Sequence, residues 1–371
     1  MSAGVGPEYN RAMEGAANAY EEGMRLFDAG DLPAAAAAFA EALRLDPRFE
    51  RAHYQLGNVR QDEERWAEAE NHFRSAIAIT PAHAEAHNNL GVVLQMLGRP
   101  EEAQASYARA ANLKPGLTQP YLNLGRMLEQ VGRRAEALDW FRKGLARSSE
   151  PETFRHILAA IQGEATAGRA PDSYVRDTFD GFAAQFDRRL IDTFEYHVPE
   201  AIAAALAEAR GFAPASADVL DLGCGTGLCG VALRAIARSL TGVDLAPRML
   251  EQARARGSYG ELAQSDLLSW MRASAPARFD VIVAADVFVY LGALDAVFAE
   301  AARLARPGAL FTFSIEVCEG EDWRLQDSGR YAQSVAYISR LAREHDFAVT
   351  LERRQPIRKP LVGLLYVLSR T

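Results

Sequence analysis

Two rhythms of apolar and polar positions divide the chain. Through residues 16–151, small and apolar side chains return every 34 residues. Gly23, Gly57, Gly91 and Gly125 form one column, and Ala35, Ala69, Ala103 and Ala137 a second. Phe39, Phe73, Tyr107 and Phe141 form a third; Ala42, Ala76 and Ala110, with Gly144 in the last unit, form a fourth. Pro47, Pro81 and Pro115 complete the set. Columns in one phase mark an internal repeat of stacked units. Each unit predicts two antiparallel helices, brought close by the glycine on the first and the alanines on the second. The aromatic is expected to fill the gap between units. Proline ends the second helix, because it has no amide hydrogen and disfavours helix in the residue before it. In the fourth unit Ser149 stands at the proline position, and residues 152–167 predict a terminal capping helix.

Beyond residue 216 the apolar positions gather into short runs. Val219-Leu220-Asp221-Leu222 predicts a buried strand that enters Gly223-Cys224-Gly225-Thr226-Gly227 and then a helix over 228–237. Glycines there permit a tight turn and let the backbone come against a ligand. A second strand, 240–243, ends in Asp244, where an acid can accept hydrogen bonds from ribose hydroxyls. Further strands are expected at 280–287 and 304–313. Phe179, Phe182 and Phe186 recur at three and four residues, one face of a helix.

Gly225-x-Gly227-x-x-Gly230 with Asp244 also satisfies the dinucleotide pattern, so two nucleoside cofactors compete for the turn. Several features oppose a nicotinamide cofactor. Asp221 opens the turn, as an acid placed to hold the amino-acid end of S-adenosyl-L-methionine (SAM). Residues 244–250 start a helix with apolar side chains able to flank an adenine, and Asp266 adds an acid suited to its amino group. No hydride-transfer constellation such as Tyr-x-x-x-Lys is evident.

The 34-residue columns resemble the tetratricopeptide repeat (TPR), over residues 16–151. The strand, glycine and acid series resembles class I SAM-dependent methyltransferases, over residues 171–371. The whole order resembles a bacterial group of methyltransferases with TPR repeats in front. The resemblance implies an all-α TPR solenoid followed by an α/β domain with a Rossmann-like seven-stranded sheet whose last strand is antiparallel, the final pair falling at 347–352 and 362–369. It implies that Asp221, Gly223, Cys224, Gly225 and Gly227 cradle the methionine part of SAM and that Asp244 binds the ribose. Leu245 and Met249 would flank the adenine, Asp266 and Leu267 would meet its edge, and Asp286 would close the site at the fourth strand. A structural N-cap is the rival role for Asp266. Cys224 and Cys229 also read as small buried residues.

For the acceptor side, Tyr290 and His197 are the catalytic candidates, with Glu316 as a further base. Phe182, Phe186 and Tyr196 are candidate substrate contacts, either as an aromatic wall beside the sulfonium or as core. Ala285-Asp286-Val287-Phe288 replaces the Asn/Asp-Pro-Pro-aromatic stretch of amide and exocyclic-amine methylases, which argues against nucleic-acid base and glutamine methylation. On the concave face of the array, Gln55, Asn89 and Asn123 occupy equivalent positions. Such amides can hydrogen-bond an extended peptide, so a peptide or protein substrate or partner is expected in the groove. The alternative is a small-molecule methyltransferase whose array serves dimerisation or partner binding. A SAM-binding scaffold without catalysis is a third alternative.

Composition narrows the classes. The 371 residues suit about two domains. Hydrophobic residues at 49% and charged residues at 24% exclude wholesale disorder. A net charge of −8 disfavours a nucleic-acid partner. The longest uncharged run, 86–98, is too short for a membrane span. No signal peptide is read, and three cysteines suit a reducing compartment, so a cytoplasmic protein is expected. His83 and His87 have ligand-like spacing but no third ligand, and no metal is assigned. The expected organisation is a flexible 1–15, four repeats over 16–151, a capping helix and linker over 152–170, and the methyltransferase domain over 171–371.

Overall fold

A computed structural model of the chain describes residues 7–164, 168–180 and 186–371. It divides into two compact units, Met1–Phe154 and Arg155–Thr371.

The first unit is helical: α1 Pro7–Asp28, α2 Leu32–Leu45, α3 Glu50–Asp62, α4 Trp66–Ile79, α5 Ala84–Met96, α6 Pro100–Leu113, α7 Thr118–Gln130 and α8 Arg134–Arg147. Helix α9, Pro151–Gln162, begins in this unit and runs on into the second. The chain is helical from Pro7, inside the segment expected to be flexible; a proline at the start supplies the helical φ in advance. Residues before the prolines behave as expected. Asp46, Thr80 and Lys114 end their helices at φ −133°, −125° and −134°.

The alanine columns are fully buried. Each ring of the aromatic column covers the glycine of its own unit's first helix, and Phe39 also joins one core with Ala52, Leu56 and Val59 of the next unit. A methyl group at Gly23, Gly57, Gly91 or Gly125 would stand 2.6, 2.7, 2.6 or 2.2 Å from the ring of Phe39, Phe73, Tyr107 or Phe141. Gly144 repeats the device one step on, where Phe154 of α9 takes the space at 2.4 Å.

The second unit is built on a seven-stranded sheet. Its strands are β1 Ala217–Leu222, β2 Ala237–Asp244, β3 Glu261–Gln264, β4 Phe279–Ala284, β5 Ala305–Ile315, β8 Phe347–Arg358 and β9 Leu361–Arg370, in the order β3-β2-β1-β4-β5-β9-β8. The short strands β6 Trp323–Leu325 and β7 Tyr331–Gln333 form a separate ribbon. β1 to β5 are mutually parallel, and β9 runs antiparallel between β5 and β8. The chain steps outward from β1 to β2 and β3, then returns to place β4 on the other side of β1. That reversal opens a crevice beyond the carboxyl ends of β1 and β4, the usual ligand position of such sheets.

Helices α10 Asp172–Asp180, α11 Phe186–Arg188, α12 Val198–Ala209, α13 Leu228–Leu233, α14 Pro247–Arg256, α15 Leu267–Ala273, α16 Asp295–Leu304 and α17 Val335–Glu344 accompany the sheet. α13 is shorter than the expected 228–237, because β2 already begins at Ala237. The core is aromatic on one face, where Phe288, Phe298, Phe311, Phe313 and Phe347 meet. At the amino ends of β1 and β4, Asp218 and Asp280 both accept from Arg306, at 2.9 and 2.6 Å. This network lies at the opposite end of the strands from the crevice. Among the described residues no helix is long and apolar enough to cross a membrane.

Candidate functional site

The crevice is a cavity with roughly 1130 Å³ of empty space, part of it open to solvent. β1 delivers Asp221 to its floor, followed by the turn of Gly223, Cys224, Gly225 and Thr226; β2 delivers Asp244 and Leu245. Met249 of α14, Asp266 and Leu267 at the start of α15, and Asp286 and Tyr290 beyond β4 complete the lining. Sequence spacing and structure therefore bring one set of residues together. Gly223, Gly225 and Gly227 have φ of 69°, 53° and 92°, the left-handed region that glycine enters without strain. A methyl at Gly223 would also strike Val287 at 2.6 Å. Gly227 caps α13 and faces away from the lining, toward Tyr259 and Ala253.

The carboxylates have distinct surroundings. Asp244 accepts the Gly225 amide on Oδ2 and the Ala246 amide on Oδ1, both at 2.8 Å, so it shapes the turn that it borders. Asp266 caps α15, accepting from the Ser269 amide at 3.1 Å, and it lines the cavity as well. Asp286 adopts φ +54°, and its carboxylate is turned to Arg330. Asp221 is only 1% exposed. Its Oδ2 accepts from the Tyr259 hydroxyl at 2.6 Å, and its Oδ1 is buried without a partner. Burial pushes its pKa up to about 7; Tyr259 pulls it down and the Asp244 charge adds to the rise. The groups facing it are Tyr259, Asp244, Cys224, Cys229 and Tyr196, with no cation among the described residues.

Cys224 and Cys229 are buried, and desolvation raises both thiols far above the ordinary range, so neither supplies a thiolate. Among the other expected site residues, Phe186 and Tyr196 line the cavity. Phe182 lies outside the described residues. Phe179 lies in α10 and Phe186 in α11, and residues 181–185 between them lie outside the described residues. Phe179 and Phe186 meet edge to face at 5.7 Å and pack on Ala246 and Met249, the side expected to hold adenine.

The catalytic candidates fare differently. His197 is exposed at the N-cap position of α12 and is absent from the lining; Val198 and Pro199 take the inward positions beside it. Tyr290 does line the cavity, against Phe179 at 5.5 Å and beneath the Arg330 guanidinium. Desolvation raises it to about 12, with Arg330 opposing and Asp286 adding, so it is a neutral phenol at physiological pH and a donor, not a base. Glu316 is 3% exposed and holds Arg330 Nε at 2.6 Å and Gln326 at 2.9 Å, which removes it as a base.

In the array, Gln55, Asn89 and Asn123 join one chain of amides across α3, α5 and α7. Asn123 donates to Asn88 at 3.1 Å, Asn88 to Asn89 at 3.1 Å, Asn89 to Asn58 at 2.9 Å and Asn58 to Gln55 at 2.9 Å. Asn58 and Asn88 were not anticipated in this role, although both are amides on the same first helices.

Two further groups escaped the sequence reading. Asp187 accepts from the Thr226 hydroxyl at 2.5 Å and from Arg256, whose Nε also reaches the Thr226 carbonyl at 2.7 Å. This ties the short helix α11 to the glycine turn. Tyr259 is the other, and its signal was Gly230 inside α13 and Gly242 inside β2, glycines at positions where no turn needs them.

A sequence model of the methyltransferase domain matches residues 219–308, and models of the tetratricopeptide repeat match 23–63, 48–115 and 121–150. The chain therefore carries a class I methyltransferase domain behind TPR repeats. It is 37% identical over 106 residues to methyltransferase-like protein 27 of Homo sapiens, covering 28% of this chain and 43% of that protein. It is 31% identical over 103 residues to the ubiquinone biosynthesis O-methyltransferase of Thiobacillus denitrificans, covering 27% and 44%. With the malonyl-[acyl-carrier protein] O-methyltransferase of Geobacter sulfurreducens it shares 34% over 146 residues, covering 38% and 52%. The chain spans about half or less of the length of these relatives.

Proposed function

We propose that the protein is a SAM-dependent methyltransferase whose TPR array recruits a peptide or protein substrate or partner. The observation that carries the cofactor assignment is Asp221: a buried carboxylate that has, among the described residues, one oxygen unpartnered and no cation facing it, with a cavity beyond. A buried charge of this kind needs a positive donor, and the α-ammonium of SAM is one, whereas a nicotinamide dinucleotide offers none to that oxygen. The site residues fit the rest of the molecule. Asp244 would take the ribose hydroxyls, Leu245 and Met249 would flank the adenine, and Asp266 with Leu267 would meet its edge. When bound, the cofactor supplies an electrophilic methyl group on a sulfonium.

Methyl transfer is an in-line displacement that needs alignment more than covalent help. Phe179, Phe186, Leu190 and Tyr196 would exclude water from the acceptor side, and the Tyr290 phenol would orient the acceptor by donating a hydrogen bond. Two relatives are named as O-methyltransferases, which supports oxygen as the acceptor atom. The same naming supports a second reading, a small-molecule acceptor with the array used for dimerisation or partner binding. The amide chain across three first helices supports the protein-recruiting reading. A cytoplasmic setting belongs to the same proposal and is in keeping with three free cysteines.

The test is a reaction of the full chain with methyl-labelled SAM and a cell lysate, fractionated by size. Label on macromolecules is expected. Label confined to small compounds would replace the first reading by the second.

A further inference from the structure

Tyr259 precedes β3 and packs where the end of the glycine turn meets α13 and β2. Its ring fills a hole bounded by three glycines. A methyl at Gly227, Gly230 or Gly242 would stand 3.0, 2.5 or 2.9 Å from a ring carbon. Gly230 lies within α13 and Gly242 within β2, where glycine weakens both elements. Neither has a positive φ. Room for the ring is the remaining reason for glycine at 230; at 242 the ring shares the space with Leu262 at 2.8 Å and Cys224 Sγ at 2.9 Å. This also accounts for the third glycine of the dinucleotide-like pattern, which faces the tyrosine and not a phosphate.

The hydroxyl is held in one orientation. It accepts the Gly230 amide at 3.0 Å, so its own hydrogen points to Asp221 Oδ2 at 2.6 Å. Asp221 is thereby divided: Oδ2 belongs to the protein, and Oδ1 remains buried and unpartnered on a residue that lines the cavity. Asp244, Cys224, Cys229 and Tyr196 face the same carboxyl and supply no hydrogen bond to it among the described residues.

We propose that Tyr259 is a positioning residue that commits one oxygen of Asp221 to the protein and presents the other to the α-ammonium of the cofactor's amino-acid end. The inference rests on the SAM reading above. It assigns Tyr259 a role in recognising the amino-acid moiety alone. A purely structural role would affect every ligand of the pocket equally.

Tyr259→Phe keeps the ring in its hole and removes only the hydroxyl. The full chain would be titrated calorimetrically with S-adenosylhomocysteine and with 5′-methylthioadenosine, which lacks the amino-acid end. The expected result is a loss of about tenfold or more for S-adenosylhomocysteine, with methylthioadenosine changed less than about threefold. The rise of S-adenosylhomocysteine affinity with pH should also move upward, because a carboxyl that loses a donor keeps its proton longer. Gly230→Ala, which pushes the ring and hydroxyl off Asp221, should reproduce the split. Thermal melts establish that the variants fold, and either folded variant suffices. Equal loss for both ligands, or no loss for either, overturns the proposal. A wild-type chain that binds neither ligand overturns the cofactor reading itself, a separate outcome.

Discussion

Arg330 Nη2 donates to Asp286 Oδ1 over 2.7 Å, and the two side chains are 9% and 15% exposed. The same guanidinium holds Glu316 at 2.6 Å. One cation thus neutralises two enclosed acids behind Tyr290. Removing it leaves both charges buried and uncompensated. Arg330→Ala should destabilise the fold by about 3–5 kcal/mol, seen as a large drop in the denaturation midpoint. A loss below about 1 kcal/mol would mean that water reaches the pair.

Asp221 makes the opposite case. Its pKa of about 7 lies above that of an unfolded aspartate, about 3.9. The folded state therefore holds a proton that the unfolded chain has released, and this group erodes stability as pH rises from about 4 to 7. Asp221→Asn should raise the melting temperature of the ligand-free protein at pH 8, by a few kcal/mol at most in stability terms. It should also weaken S-adenosylhomocysteine by about tenfold or more. Calorimetry and thermal melts on one preparation check both. Unchanged affinity would remove Asp221 from the binding site.

Asp187 ties α11 to the glycine turn through Thr226 and Arg256. Asp187→Ala should release that segment, which carries Phe186. The dissociation rate of S-adenosylhomocysteine, followed by stopped flow, should rise by about tenfold, with a smaller change in association. An unaltered dissociation rate would show that the tie does not control the pocket.

Gln55, Asn89 and Asn123 changed together to Ala break the amide chain at three of its five members. Capture of a macromolecular partner should fall at least several-fold, and S-adenosylhomocysteine affinity should stay within about twofold, since the substitutions lie in the other unit. Undiminished capture would take the ladder out of recognition.

Local signals were legible and non-local ones were not. The 34-residue columns located the helices because every glycine, alanine and proline there answers to a neighbour in its own or the next helix. The run from Asp221 through Gly227 located the pocket, since strand, turn and helix follow each other without a break. His197 misled because the sequence places it beside Tyr196, and one step along a chain about to enter α12 turns a side chain from the cavity to solvent. Asp187, Tyr259 and Arg330 were silent as partners: their contacts with Thr226, with Gly230 and Asp221, and with Asp286 span 29 to 44 positions. Gly230 and Gly242 did carry a trace of Tyr259, as a side chain's worth of missing volume, but volume alone does not say what fills it.

In the array each aromatic ring lands on the glycine sixteen positions upstream, inside its own helical pair. A pair so closed is a self-contained cassette. Duplication or deletion in steps of 34 residues would lengthen or shorten the solenoid without orphaning a single ring, whereas a cut out of phase would strand one bulky side chain and leave one notch gaping.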